Sequence, residues 1–419
     1  MSETLAPTLQ ALFGLLVLLG IAWLLSESRR EVSLRLVLGG LGLQLLLGVL
    51  LLKWPAAKEA FLLLNEMVLA LQKATDAGAQ FVFGYLAGSE APFAVTAPEH
   101  GFVFAFRALP LILVVSALSA LLFHWRVLPL VVRGFAWVLR RTLGTSGALG
   151  LATAANVFIG MTEAPLLIRP YLKTMSRSAL FALMVSGMAT IAGTVMLLYA
   201  SILSGIIPNA MGQILTASLM SAPAALVIAG IMLPEASQRE PFDAHIEIES
   251  ESAMDAITRG ALAAIPLMLN VMALLIVMLA LVSLANDLLG LLPQVADAPL
   301  SLERLLGWVF APIVWLIGIP WQEAQTAGAL MGTKTVLNEL IAYVQLTQLS
   351  PDALSERSRL IMLYALCGFA NFGSLGIMIG GLASIAPERR SEIVALGMKS
   401  ILAGTLATLM TGAIAGLLL

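Results

Sequence analysis

Residues 156–172, NVFIGMTEAPLLIRPYL, hold a carboxylate, Glu163, inside a stretch otherwise built for lipid. It is the only charged residue between Thr142 and Ile168. A charge at membrane depth costs at least about 2.5–3.5 kcal/mol, so such a side chain must face protein or a water-filled cavity. The apolar run breaks at GMTEAP (160–165), and basic clusters close it at both ends, LRR before and RPYLKTMSR after. Two basic ends place both flanks on the cytoplasmic side and predict a re-entrant hairpin over residues 142–176. Irregular backbone at that depth is tolerated only where protein or a cavity surrounds it.

The surrounding chain is equally apolar. Of its 419 residues 59% are hydrophobic and only 11% charged, against about 25% charged in soluble domains. Stretches of about 20 apolar residues are read as transmembrane helices, because a helix satisfies its own backbone hydrogen bonds in hydrocarbon. Eight are expected, over residues 8–26, 34–52, 102–123, 179–204, 210–233, 260–286, 360–385 and 393–418. The first lacks a basic n-region and its apolar run is too long for a signal peptide, so it is expected to stay on the protein. Residues 60–83 and 124–141 mix apolar stripes with charges at helical spacing, which suits helices lying in the interface. Residues 305–350, with Gly318, Pro320, Gly328 and Gly332 available to break a helix, are expected to form a second hairpin entering from the opposite face.

With SESRREVSLR cytoplasmic, fifteen of the 23 Lys and Arg residues lie inside, and both termini come out extracellular, or periplasmic across an inner membrane. The single cysteine, Cys367, excludes an intrachain disulfide. The acidic segment 235–256 reads as a solvated connector.

The halves of the chain echo each other. MTEAPLLIRPYL, followed by LFALMVSGMATIAGTV, parallels LNELIAYVQL, followed by LIMLYALCGFANFGSLG. Each pairs a Glu-bearing hairpin with a span interrupted by small and polar residues, and three spans between the hairpins invert the second copy. Inverted repeats with broken helices in matching places point to a secondary transporter that binds its cargo near the midplane. The expected architecture is an all-α polytopic membrane protein with eight spans, two opposed re-entrant hairpins, inverted repeats with broken helices, and interfacial helices. Its units are a scaffold (1–141), a first transport repeat (142–233), a connecting unit (234–304) and a second transport repeat (305–419).

Three segments, NVFIGMTEAPLLIRPYL, GTKTVLNELIAY (332–343) and GFANFGSLGIMIGGL (368–382), resemble hallmark segments of the concentrative nucleoside transporters, in the same order and with the same spans and hairpins. The resemblance implies that Glu339 takes the ribose, with Asn371 and Ser374 beside it and Phe369 packed on the sugar. It assigns Gly160, Met161, Thr162 and Glu163 to the base, with Val195 closing the pocket. Met161 stands where many relatives carry Gln, which replaces a donor and acceptor by a thioether, so the base preference of Gln-bearing relatives does not carry over and purine versus pyrimidine stays open. A sodium site is implied at the side chains of Asn156 and Thr190 and the carbonyls of Ile159 and Ile191, an oxygen set suited to a hard cation. The family further implies a homotrimer in the lipid bilayer, nucleosides as cargo, no cofactor and no nucleic acid.

Other readings compete. Proton coupling through Glu163 or Glu339 is the alternative to sodium, since buried carboxylates carry protons in transporters. Paired membrane carboxylates also occur in intramembrane enzymes, but no metal cluster or Ser/His pair lies in the spans, and His100, His124 and His245 fall in loops. A channel suits opposed hairpins less well than alternating access does. GALMGTKT lacks the Gly-Lys step of a P-loop. Glu163, Glu339 and Asn371 could simply cap helices, Lys334 is expected to pair with Glu323, and Gly376, Gly380 and Gly381 to mark helix packing.

Overall fold

The computed structural model describes residues 2–94, 103–234, 250–295 and 298–419. The core of the acidic segment, His100 and His245 lie outside the described residues. Among the described residues, sixteen α-helices of ten residues or more carry the architecture. The first five are α1 (Ser2–Leu24), α2 (Leu34–Lys53), α3 (Pro55–Phe83), α4 (Pro110–His124) and α5 (Val127–Leu143). The first repeat follows as α6 (Gly147–Ile159), α7 (Arg177–Ala189), α8 (Gly193–Leu203) and α9 (Ala210–Met232). The 38-residue α10 (Ala253–Gly290) then leads to α11 (Leu302–Leu316). The second repeat is α12 (Trp321–Val336), α13 (Glu339–Gln348), α14 (Glu356–Leu366), α15 (Phe372–Ile385) and α16 (Arg390–Leu418).

The starts of these helices are written locally. Side chains of Ser146, Ser176 and Ser355 accept the backbone N–H three residues on, capping α6, α7 and α14, and each occupies one of the donors that every helix N-terminus leaves open. α7, α9 and α16 form the buried centre, whereas α10 turns apolar side chains outward along nearly all its length.

Among the described residues, seven helical stretches are long and apolar enough to cross a bilayer, and they coincide with seven of the eight expected spans. The remaining one, 360–385, consists of α14 and α15, helices of 11 and 14 residues separated at Cys367–Asn371. Neither half alone reaches the roughly 20 residues a crossing needs. The span at 179–204 is likewise divided, at Thr190–Ala192, into α7 and α8.

The two broken spans run in opposite directions along α16. Arg177, at the start of α7, meets Glu27 beside Lys399 near the first turns of α16. Arg357, at the start of α14, donates to the Gly416 carbonyl near the other end of α16 at 2.6 Å. This is the inverted topology expected of the repeats.

The second hairpin differs from expectation in its bounds. Residues 302–316 form a separate helix, α11, which bends by 116° into α12, and the hairpin turn lies at Leu337–Asn338 between α12 and α13. Gly328 and Gly332 do not break the chain. They sit inside α12 and let α11 approach, since a Cβ on Gly328 would come within 2.7 Å of the Gly307 carbonyl.

Candidate functional site

Four interruptions of regular helix meet: the two hairpin turns, 160–163 and 337–338, and the two span breaks, 190–192 and 367–371. They enclose a cavity of about 150 Å³. Gly160, Met161, Thr162, Glu163, Val195, Glu339, Phe369, Asn371 and Ser374, all singled out in the sequence, line it together. Leu267, Val271 and Met278 of α10 also line it.

Gly160 makes the first turn possible. Its φ of +102° lies in the left-handed region, and a Cβ there would sit 2.9 Å from Oε2 of Glu163. Thr162 donates to that same oxygen at 2.9 Å, while the Glu163 side chain stays exposed. The second turn is built differently. Asn338 caps α13 by accepting the Ile341 N–H at 2.9 Å, which leaves Glu339, in the first turn, free of capping duty. A carboxylate there is favoured by the positive end of the helix.

Glu339 is 3% exposed and held from two sides. Tyr199 donates to Oε1 at 2.5 Å and Asn371 to Oε2 at 2.9 Å. Asn371 also caps α15, its Oδ1 accepting the Ser374 N–H at 2.7 Å, so it is an N-cap rather than a C-cap. An ionised carboxylate offers about four acceptor positions, and two remain for ligand donors. Phe369, Val195 and Ile377 give the cavity an apolar side suited to a flat ring.

Beside the cavity lies the oxygen set expected to hold a cation. Asn156, near the end of α6, donates to Thr190 Oγ1 at 3.2 Å, and Thr190 donates to the Ser186 carbonyl at 2.9 Å. Ser218 of α9 reaches the Ile191 N–H and carbonyl, each at 3.4 Å. Two fully buried oxygens here, Asn156 Oδ1 and Ser186 Oγ, have no hydrogen-bond partner. Unsatisfied buried oxygens at the ends of two helices are what a small hard cation would complete. Ile159, the last residue of α6, lies beside this cluster and on the cavity wall.

Two participants escaped the sequence reading. Tyr199 lies one helical turn beyond Val195 on the same face of α8, and Ser186 one turn before Thr190, so an i, i+4 search from either residue finds them. Lys334 does not pair with Glu323, which accepts from Ser355 instead. It donates to the Ala365 carbonyl at 3.1 Å and to Thr408 Oγ1 at 2.9 Å. Gly376 and Gly380 have open space where a Cβ would lie, and only Gly381 meets a neighbour, Thr162.

The chain as a whole is similar to known proteins. Residues 13–86 and 213–416 match the N-terminal and C-terminal families of Na+ dependent nucleoside transporters, and residues 105–206 match a family described as a nucleoside-recognition gate. The nucleoside permease NupC of Helicobacter pylori is 37% identical over 418 residues, spanning 98% of this chain and 97% of that protein. The chain belongs to the concentrative nucleoside transporter family. CNTnw in an inward-facing, substrate-bound state matches it with a TM-score of 0.88 at 36% identity, covering 98% of both chains. A substituted CNTnw in an outward-facing state matches with a TM-score of 0.90 at 36% identity, covering 98% of this chain and 97% of that one. This transporter is therefore a multi-pass membrane carrier of nucleosides, not an enzyme.

Proposed function

We propose that the transporter imports nucleosides by coupling them to sodium, with the cavity at Glu339 as the substrate site and the Asn156–Thr190 cluster as the ion site. The observation that carries the sodium reading is the pair of buried, unpartnered oxygens, Asn156 Oδ1 and Ser186 Oγ, next to the break in the first repeat. Ribose hydroxyls would donate to Glu339, whose orientation Tyr199 and Asn371 fix, and hydrogen bonds to a charged acceptor are roughly twice as strong as neutral ones. Met161, Thr162 and Glu163 would face the base. Because Asn156, Met161 and Thr162 share one hairpin, an ion on Asn156 would favour the arrangement of the turn that meets the nucleoside, and such coupling is reciprocal.

Assembly as a homotrimer in the inner membrane, with both termini periplasmic, fits the same reading. The apolar side chains that α10 turns outward, among them Leu269, Ile276 and Leu284, supply a surface for a second copy or for lipid. A proton-coupled carrier is the second reading, favoured by the Glu163 carboxylate, whose hydrogen bond comes from a neutral hydroxyl, Thr162. Uptake of labelled nucleosides into proteoliposomes decides between them. Accumulation that follows an imposed sodium gradient at constant pH supports sodium, and accumulation that follows only a pH gradient moves the coupling to the carboxylates.

A further inference from the structure

We propose that Lys334 is a tethered cation, filling in the second repeat the place that the exchangeable ion takes in the first, so that each chain couples a single ion per nucleoside. The inference rests on the sodium reading above. Lys334 is 0% exposed, and its hydrogen bonds go only to neutral oxygens. The Glu339 carboxylate acts on it through charge alone, without a hydrogen bond between them, and an ammonium buried with no carboxylate hydrogen-bonded to it is expensive, which calls for a reason.

The reason lies in the repeat. In the first copy, Asn156 projects from the last turn of α6 to Thr190, the residue after α7, and Thr190 bonds the Ser186 carbonyl in the last turn of α7. A hydroxyl from the next full-length helix, Ser218 of α9, joins at Ile191. In the second copy, Lys334 projects from the last turn of α12 to the Ala365 carbonyl in the last turn of α14. A hydroxyl from the next full-length helix, Thr408 of α16, joins there. The same three elements converge twice: the end of a hairpin helix, the end of the first half of a broken span, and a hydroxyl of the helix that follows.

Both places gather helix C-termini, each carrying about half a negative charge, and both therefore attract a cation. The first copy presents an amide and leaves two buried oxygens open. The second presents an ammonium that carries its own positive charge. The two breaks sit back to back, since a Cβ on Gly368 would fall 2.8 Å from the Ala189 carbonyl. A mobile ion in one repeat and a fixed charge in the other thus share one low-dielectric centre.

The test measures nucleoside affinity against sodium concentration for purified wild type, Lys334→Gln and Lys334→Arg, together with the ratio of labelled sodium to labelled nucleoside entering proteoliposomes of the wild type. Linkage predicts an affinity that rises with about the first power of sodium in wild type and Lys334→Arg, and a flux ratio of about one. Lys334→Gln, with an amide as in the first repeat, binds weakly at low sodium and recovers at high sodium, with a power approaching about two. A first-power dependence in folded Lys334→Gln overturns the proposal, whatever its affinity. A wild-type flux ratio of two overturns it as well, and that measurement needs no variant to fold. A wild type indifferent to sodium fails the coupling reading first and takes this inference with it, an outcome visible before any Lys334 variant is made.

Discussion

Tyr199 donates a 2.5 Å hydrogen bond to Oε1 of Glu339, joining the broken span of the first repeat to the hairpin of the second. The contact crosses the cavity wall, so it sets the direction of the carboxylate and brings the two repeats into one site. In the assignment proposed above, Tyr199 is a positioning residue. Tyr199→Phe is expected to weaken nucleoside binding about 5–30-fold, the factor that one or two kcal/mol represents. Affinities for nucleosides lacking one ribose hydroxyl should fall less, so the ratio between parent and deoxy compounds shrinks. Equal losses for both would show that the tyrosine supports packing rather than ribose recognition.

Glu339→Gln removes the charge while keeping the size of the side chain. The amide nitrogen would face a donor, either Tyr199 or Asn371, so the variant loses a charge-assisted acceptor and gains a mismatch. A loss of about 1.5–3 kcal/mol in binding is expected, the scale of hydrogen bonds to charged groups. Calorimetry on purified protein of unchanged oligomeric state measures it, and wild-type affinity in that sample would remove Glu339 from the site.

For the ion, three single changes are informative. Asn156→Ala and Thr190→Ala each delete an oxygen from the proposed set, and each should raise the sodium concentration that half-saturates uptake. Nucleoside affinity should weaken in step at fixed sodium, because linkage is reciprocal. Ser186→Ala tests the residue that the sequence reading passed over. If its buried hydroxyl serves the ion, directly or through water, the sodium requirement rises. If it is only an unsatisfied group, deleting it leaves the requirement unchanged and stabilises the fold slightly.

How far the sequence led can be read from these residues. Charges and polar breaks inside apolar runs are expensive, so Glu163, Glu339 and the segments around Thr190 and Asn371 stood out and marked the first hairpin turn, the two broken spans and the existence of the second hairpin. The bounds of the second hairpin did not, because the glycines of α12 serve close packing against α11 and look identical in sequence to helix breakers. Tyr199 was hidden because an aromatic in an apolar span is ordinarily core. The partner of Lys334 was hidden because a backbone carbonyl, unlike a carboxylate, leaves no mark in the sequence.

Glu27, in the loop between α1 and α2, bridges Arg177 of the first repeat and Lys399 of α16. The Arg177 guanidinium hydrogen-bonded to it holds its carboxyl below the usual range, with Lys399 adding to the effect and burial opposing it. A lowered folded pKa contributes stability that is present above the unfolded value and lost as the pH falls through the folded one. Glu27→Gln should therefore lower the thermal midpoint at neutral pH and much less in strong acid. The side chain is 32% exposed, so the loss should stay within about 0.2–1 kcal/mol and shrink in high salt. Thermal scans of both proteins at neutral and acid pH measure the difference, and a pH-independent gap would assign it to packing.

The last prediction concerns Met161. Its side chain lines the cavity, and its Cβ backs onto Gly187 of α7, where an added Cβ would lie 3.1 Å away. The residue is thus backed by α7 while it lines the cavity. A thioether packs on the face of a base but reads no edge, whereas an amide at the same place offers both a donor and an acceptor. Met161→Gln should then favour uridine or cytidine over adenosine. One net hydrogen bond contributes about 0.5–1.5 kcal/mol, a several-fold change in relative affinity. Competition of labelled uptake by the four common nucleosides, in wild type and variant, measures it. If ratios and rank order stay the same, Met161 only fills space, and base selection falls to Thr162 and Glu163, whose hydroxyl and carboxylate already share a 2.9 Å hydrogen bond at the turn.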